Sequence, residues 1–416
     1  MAMAINLHHT HARGLAELQR SSSPDLTRVL QQRATPGCSP HSLRKISTSI
    51  PSKNFSPRFR DLQIVPLCHA LTTDVGTVEI SNDHITDDSI PVLTFLEVTE
   101  RMQSLATTRP TTFRAMYSSV IGGITTDTAA MVIPIDDHMV HRGHGVFDTA
   151  IIYNGYLYEL DDHLDRILRS AEKAKIQSPF DRATLRDILV QTVAASGCRR
   201  GALRYWLSAG LGGFALSSKE CFKSTFYAIV TDNTYQGPEG VKVMTSTIPI
   251  KPPFFATVKS VNYLPNVLAQ LEAEEKGLYA GIWLDNEGFI AEGPNMNVAI
   301  LGSDGVLLIP PFDNVLAGCT ARRMIELVSR LIDNKSIQNL NGVKVQMISV
   351  EEARSASEMM LIGSGVLVKS IVEWDGQPVG TGKVGPLTLA IRQAVQNDLE
   401  DLTTGKLVSV PYTDEL

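Results

Sequence analysis

Three short stretches of this sequence carry residue types suited to covalent and anion chemistry. Lys259 ends the run PPFFATVK and stands just before an apolar helical pattern. An ammonium held near apolar residues costs desolvation energy, and the neutral amine that such a setting favours is the nucleophile of Schiff-base chemistry. The ordinary alternative is a surface lysine whose stem lies along apolar neighbours. Glu292, in FIAEGPNMN, is an acid in an otherwise apolar strand and turn, where its ordinary role would be to cap the turn. Gly318-Cys319-Thr320 opens a helical pattern. Free N–H groups at a helix start form an anion site, although most such starts bind only water.

Three other patterns read as structure. GTGKVG at 380–385 has the spacing of a dinucleotide-binding turn, but it lies near the C-terminus and not in a first βαβ unit, so a plain loop is expected. His141 and His144, in HRGH, flank a glycine turn with no matching Cys or Glu cluster, so no metal is expected. Glu352 and Glu358 are placed on a surface helix.

These residues need a framework to bring them together. The chain has 416 residues, a length for two or three domains. With 43% hydrophobic and 20% charged residues it can bury a large core, which excludes global disorder. The net charge of −6 argues against a broad nucleic-acid footprint. No run of about 18 apolar residues is present to span a membrane. The five cysteines are scattered without a Cys-x-x-Cys pair, against a disulfide scaffold or structural zinc.

Residues 1–73 differ in character. Nine Lys or Arg face three acids, so this segment is +6 and the remainder −12. Rich in Arg and Ser, poor in acids and without a secretory apolar core, it reads as an organelle transit peptide outside the fold. Residues 74–114 are expected to hold a helix over 89–106, packed on the body, and a linker. A small α+β domain over 115–231 and a large α/β-type domain over 232–416 follow, divided at TDNTYQGPEG. In the first, a strand over 147–153 turns at Asn154-Gly155 into a hairpin. The next helix carries Leu160, Leu164, Ile167, Leu168 and Ala171 on one stripe, with Asp161 and Asp162 near its positive end. In the second, a helix starts at Pro265 and stops at Gly277, and an amphipathic helix with Met324 and Val328 inward follows Gly318.

Taken together, KSVNYLPNVLAQLEAEEKGLYAGI, AEGPNMNVAI and DNVLAGCTARR strongly resemble the fold-type IV pyridoxal-phosphate enzymes. That family comprises D-amino-acid transaminases, branched-chain aminotransferases and aminodeoxychorismate lyases. RGHGVFDTAIIYNGYLYELDDHLDRI resembles the family's GDGVYE, NG and HIDRL stretch, and GSGVLVKSIVEWDGQPVGTGKVG its second phosphate loop and closing hairpin. The resemblance spans about 115–400 and is closest to plant plastid members. It implies a two-domain fold of the D-amino-acid-aminotransferase type, pyridoxal 5′-phosphate as cofactor, and a homodimer whose partner helps to close each site. It also implies a chloroplast address for the leader, with the mitochondrion as the alternative.

Roles follow residue by residue from the resemblance. Lys259 carries the cofactor's aldehyde and then moves the substrate proton. Glu292 lies beside the pyridine nitrogen and keeps it protonated, so that the ring accepts electrons. Arg166 of the His-x-x-Arg helix takes phosphate with its guanidinium fork. Cys319, Thr320 and Ser364 complete the phosphate site, and Leu316 packs on the ring face. Tyr263 is expected near the cofactor hydroxyl or the substrate.

Two departures bear on the substrate. D-specific transaminases place a Tyr where this chain has Phe147. They also carry an Arg-x-His pair for the substrate carboxylate, where this chain has LSAGLGGFALS. Arg204, just upstream, is the candidate replacement, and the loop at 211–214 a candidate pocket wall. Transamination of D-amino acids such as D-alanine with a 2-oxo acid such as 2-oxoglutarate is the leading reading. The alternative is lysis of 4-amino-4-deoxychorismate to 4-aminobenzoate and pyruvate in plastid folate synthesis, and one enzyme can carry both. Branched-chain L-transamination is third, since that branch's FEG-x-R reads FDTAI here. A non-enzymatic cofactor carrier is fourth.

Overall fold

In a computed structural model of the chain, residues 90–109, 112–232 and 239–412 are described. The leader and its transit-peptide expectation lie outside the described residues. Helix α1 (Phe95–Thr108) opens the described chain, started by a capping box between Thr94 and Glu97. It meets the body only at the turn Thr128–Ala130 and is not buried against it: Phe95 and Leu96 remain 87% and 65% exposed. Val92 and Leu93 precede the helix, and its stripe of Phe95, Val98, Met102 and Leu105 meets only the short turn at Thr128–Ala130 among the described residues.

The first half continues with β1 (Phe113–Ser118), β2 (Gly123–Thr125), a short α2 (His138–Arg142), β3 (Gly145–Tyr153), β4 (Tyr156–Tyr158), α3 (Leu160–Lys173), α4 (Arg182–Ser196), β5 (Gly201–Ser208) and β6 (Thr225–Asp232). The second half holds β7 (Gly240–Thr245), α5 (Pro253–Ala256), α6 (Leu264–Glu274), β8 (Ala280–Ile282), β9 (Asn297–Leu301), β10 (Val306–Ile309), α7 (Cys319–Asp333) and β11 (Gly342–Val345). Then come α8 (Val350–Arg354), β12 (Glu358–Gly363), β13 (Leu367–Trp374), β14 (Gln377–Pro378), α9 (Pro386–Asp398) and β15 (Leu407–Ser409).

Two sheets result. The first runs β15-β4-β3-β5-β6-β1-β2 with antiparallel neighbours throughout. The second runs β11-β10-β9-β12-β13-β7-β8 and includes parallel pairs at β10–β11, β13–β7 and β7–β8. The last strand departs from the expected 232–416 unit: β15 pairs with β4, so the chain end returns to the first sheet.

Local rules account for the elements that carry the site. Asn154 and Gly155 take φ of 49° and 84°, as a two-residue hairpin turn requires, and set Tyr153 opposite Tyr156. Along β3 the side chains alternate. Val146, Ala150 and Ile152 join Leu160, Leu164 and Ile167 of α3 in one core, while Phe147 and Thr149 face the other way. In the second half Met324 and Val328 of α7 pack with Leu301 and Leu307 against the sheet.

Glu358 is not on a surface helix. It begins β12, 7% exposed, and its carboxylate accepts from the N–H groups of Leu387 and Thr388 at 3.0 and 2.7 Å and from the Thr388 hydroxyl at 2.6 Å. It therefore caps α9, whose positive end offsets the buried charge. That helix start is already filled by an internal anion, so the glycine motif before it serves as a turn. Only Glu352 is helical, closing the capping box of α8 with Ser349.

Candidate active site

The lysine segment is stitched to the first sheet. Phe147 N–H donates to the Lys259 carbonyl at 2.9 Å, and Val261 N–H to the Gly145 carbonyl at 3.0 Å. Val146 pairs with Ser260 as an isolated bridge, and the Asn262 side chain donates to the Gly143 carbonyl at 3.0 Å. A residue from the second half of the chain is thereby held on β3. A cavity of about 960 Å³ opens here, lined by Lys259, Glu292, Arg166, Leu316, Cys319, Thr320, Ser364, Phe147, Tyr263 and Arg204, though not by the loop at 211–214.

The amine end is aromatic. Lys259 Nζ donates to the Tyr263 hydroxyl at 3.2 Å and lies 4.7 Å from the centre of the Phe147 ring. The two rings meet edge to face at 5.0 Å. Arg204, on the neighbouring β5, donates to the Thr149 hydroxyl at 3.1 Å and sits 5.6 Å from the Phe147 centre.

Glu292 lies across the cavity, buried, accepting one hydrogen bond from Leu316 N–H at 3.2 Å. Burial pushes its carboxyl up to about 7, against the pull of Lys251, that N–H and Lys259. One N–H is a thin shell for a buried carboxylate. The arrangement suits a bound group that brings its own donor or positive charge.

The third corner suits an anion. Gly318 gives α7 no side-chain cap, so the first N–H groups of the helix at Cys319 and Thr320 face the cavity. The hydroxyls of Thr320 and Ser364 stand 3.2 Å apart beside them. Arg166 completes the corner with its fork gripped from behind. Asp148 accepts from its Nε and Nη2 at 2.8 and 2.6 Å, and His163 Nδ1 lies 2.8 Å from the same carboxylate. Burial opposes the charge on Asp148, but Arg166 and His163 hold it well below the usual carboxylate range. A helix start, two hydroxyls and a braced guanidinium form a phosphate cradle.

Asp148, His163 and Lys251 were not among the expected site residues. His163 stands three before Arg166 on α3, and Asp148 occupies the α3-facing phase of β3; both signals were readable as spacing. The loop at 211–214 does not line the cavity within this chain. Leu211 bridges to Asp137, and Phe214 stacks on His141 at 4.6 Å. Among the described residues no group of three His, Cys, Asp or Glu is arranged to hold a metal.

A family model described as amino-transferase class IV matches residues 145–374, which contain the cavity's lysine, acid and phosphate cradle. This chain belongs to the class IV aminotransferases. It is 58% identical over 326 residues to the chloroplastic D-amino-acid transaminase of Arabidopsis thaliana, covering 78% of this chain and 86% of that protein. It is 27% identical over 274 residues to the D-alanine aminotransferase of Bacillus licheniformis, covering 64% and 92%. The branched-chain amino acid aminotransferase of Escherichia coli shares its fold, with a TM-score of 0.65 over 72% of this chain and 100% of that one at 23% identity. This aminotransferase is a two-sheet α+β enzyme of fold-type IV, and its cofactor is pyridoxal 5′-phosphate. The cavity's three corners fit the cofactor's phosphate, ring nitrogen and aldehyde.

Proposed function

We propose that this enzyme transfers the amino group of D-amino acids such as D-alanine to a 2-oxo acid such as 2-oxoglutarate. The observation that carries this reading is the 58% identity, over most of the chain, to a protein named for that activity. When bound, the cofactor supplies a sink for the electrons left at the substrate Cα after deprotonation. Lys259 would hold it covalently, and its amine is the group placed to take and return the substrate's Cα proton. Glu292 would keep the ring nitrogen charged, and Leu316 would pack on the ring. Arg166, Thr320, Ser364 and the start of α7 hold the phosphate. Phe147, Tyr263 and Arg204 face the substrate. Purified protein given D-alanine and 2-oxoglutarate should form pyruvate and glutamate. Turnover of L-leucine with none of D-alanine would overturn the reading.

The phosphate cradle gives a graded expectation. Replacing both hydroxyls, Thr320→Val with Ser364→Ala, should weaken cofactor affinity about 10-fold or more and leave apo melting nearly unchanged. Arg166→Ala should weaken affinity comparably and also destabilise the apo chain by about 3 kcal/mol, because buried Asp148 loses its main partner. Equal apo melting in both variants would mean that Asp148 does not depend on Arg166.

We also propose a homodimer in the plastid. The relative named as chloroplastic and the basic, acid-poor residues 1–73 support the address. A fusion of residues 1–73 to a fluorescent protein should enter plastids, and a cytosolic signal would refute it. Light scattering should give the mass of two chains.

A further inference from the structure

We propose that Lys251 anchors the substrate's α-carboxylate, the task for which this chain has no Arg-x-His pair. The inference rests on the aminotransferase reading and assigns a substrate contact within that site. Four cations of this chain line the cavity: Arg166, Arg204, Lys251 and Lys259. Arg166 is committed to Asp148, and Lys259 is the nucleophile. Arg204 is exposed on β5, spends its Nε on Thr149, and stands beyond the Phe147 ring.

Lys251 is placed differently. It lies half-buried in the segment between β7 and α5, with its ammonium 5.1 Å from the centre of the Tyr263 ring. No carboxylate among the described residues comes within ion-pair distance of it, and its charge partner across the cavity is Glu292, felt at longer range. A half-buried cation resting on an aromatic face is only partly compensated, and an incoming anion completes its shell. Lys259 Nζ contacts the same tyrosine, 5.7 Å from the ring centre and 3.2 Å from the hydroxyl. The two lysines thus share one ring. The α-carboxylate of an amino or oxo acid is one bond from the carbon that reacts at Lys259. It must therefore lie beside Tyr263, within the sweep of the flexible Lys251 stem. The side chain of the substrate then points toward Phe147 and Arg204, where a second carboxylate would meet the guanidinium N–H groups that Thr149 leaves free.

The test uses the cofactor-loaded enzyme and propionate, a carboxylate that cannot react, with binding followed by its perturbation of the visible band. Lys251→Met should weaken propionate binding about 10- to 100-fold and raise KM for D-alanine and 2-oxoglutarate alike, with kcat within a few-fold. Lys251→Arg should recover most of the loss, and Arg204→Met should weaken propionate binding far less than Lys251→Met. Unchanged propionate binding in Lys251→Met overturns the proposal, as does loss in Arg204→Met alone. A Lys251→Met variant that sheds cofactor and melts early would make the residue structural and overturns it too. Propionate binding needs no turnover, so failure of the D-amino-acid reading would leave this result interpretable.

Discussion

Lys259→Ala is expected to lose transamination by about 10⁴-fold or more, because in the proposed mechanism one amine would serve as covalent holder and as proton carrier. The geometry supports a single amine for both tasks. Its Nζ is the one bonded to the Tyr263 hydroxyl; its carbonyl accepts from Phe147 N–H on β3, and its own N–H donates to Ser170 Oγ on α3. Borohydride reduction of the native enzyme followed by gel filtration should leave cofactor on the protein. The variant should emerge free of it, although Arg166, Thr320 and Ser364 still bind phosphate reversibly. The sharpest challenge comes from Lys251, a second amine lining the same cavity. Covalently reduced cofactor in the variant, mapped by peptide mass to Lys251, would show that the wrong lysine has been named.

Glu292→Gln should slow turnover by about 10²-fold or more while cofactor stays bound, since an amide cannot hold the ring nitrogen in its charged form. The same substitution should stabilise the apo protein at alkaline pH. Burial raises this carboxyl from 4.5 to about 7. The folded apo chain therefore holds the proton more tightly than the unfolded chain. Stability on this account is fully present below about pH 4.5 and is lost as pH rises through about 7, by up to about 3 kcal/mol. Glutamine does not titrate. Apo melting curves should nearly coincide near pH 4.5 and favour the variant at pH 8. A turn-capping acid would give the opposite sign at pH 8 and near-normal turnover. That pair of results would remove Glu292 from the chemistry.

Much of the site was legible because its parts are local. The stripe of Leu160, Leu164 and Ile167 lies within one helix, and the Asn154–Gly155 turn needs positive φ that those residues tolerate. The order of the Lys259, Glu292 and Gly318 segments along the chain was enough to bring the resemblance into view. Other features depended on residues far apart in sequence. Glu358 looked like a solvated acid until α9, about thirty residues on, delivered its N–H groups to it. Helix α1 has an apolar stripe that suggests a packed face, but among the described residues only the short turn at Thr128–Ala130 meets it, which buries none of its residues.

By itself the sequence determined the chemical inventory: an amine, an acid, a guanidinium and a helix start, each on an element whose period and caps are written in neighbouring residues. Only the tertiary structure decided how these groups act on one another. The backbone of Lys259 pairs with β3, Asp148 braces Arg166 from behind, and burial around Glu292 sets its proton affinity. Lys251 finds Tyr263 in the same way, across a turn that no periodicity describes. The physical reason is common to all four. Hydrogen bonding, desolvation and charge–charge energies depend on separations of a few ångströms, and those separations are set by how strands, helices and turns pack on one another, not by adjacency along the chain.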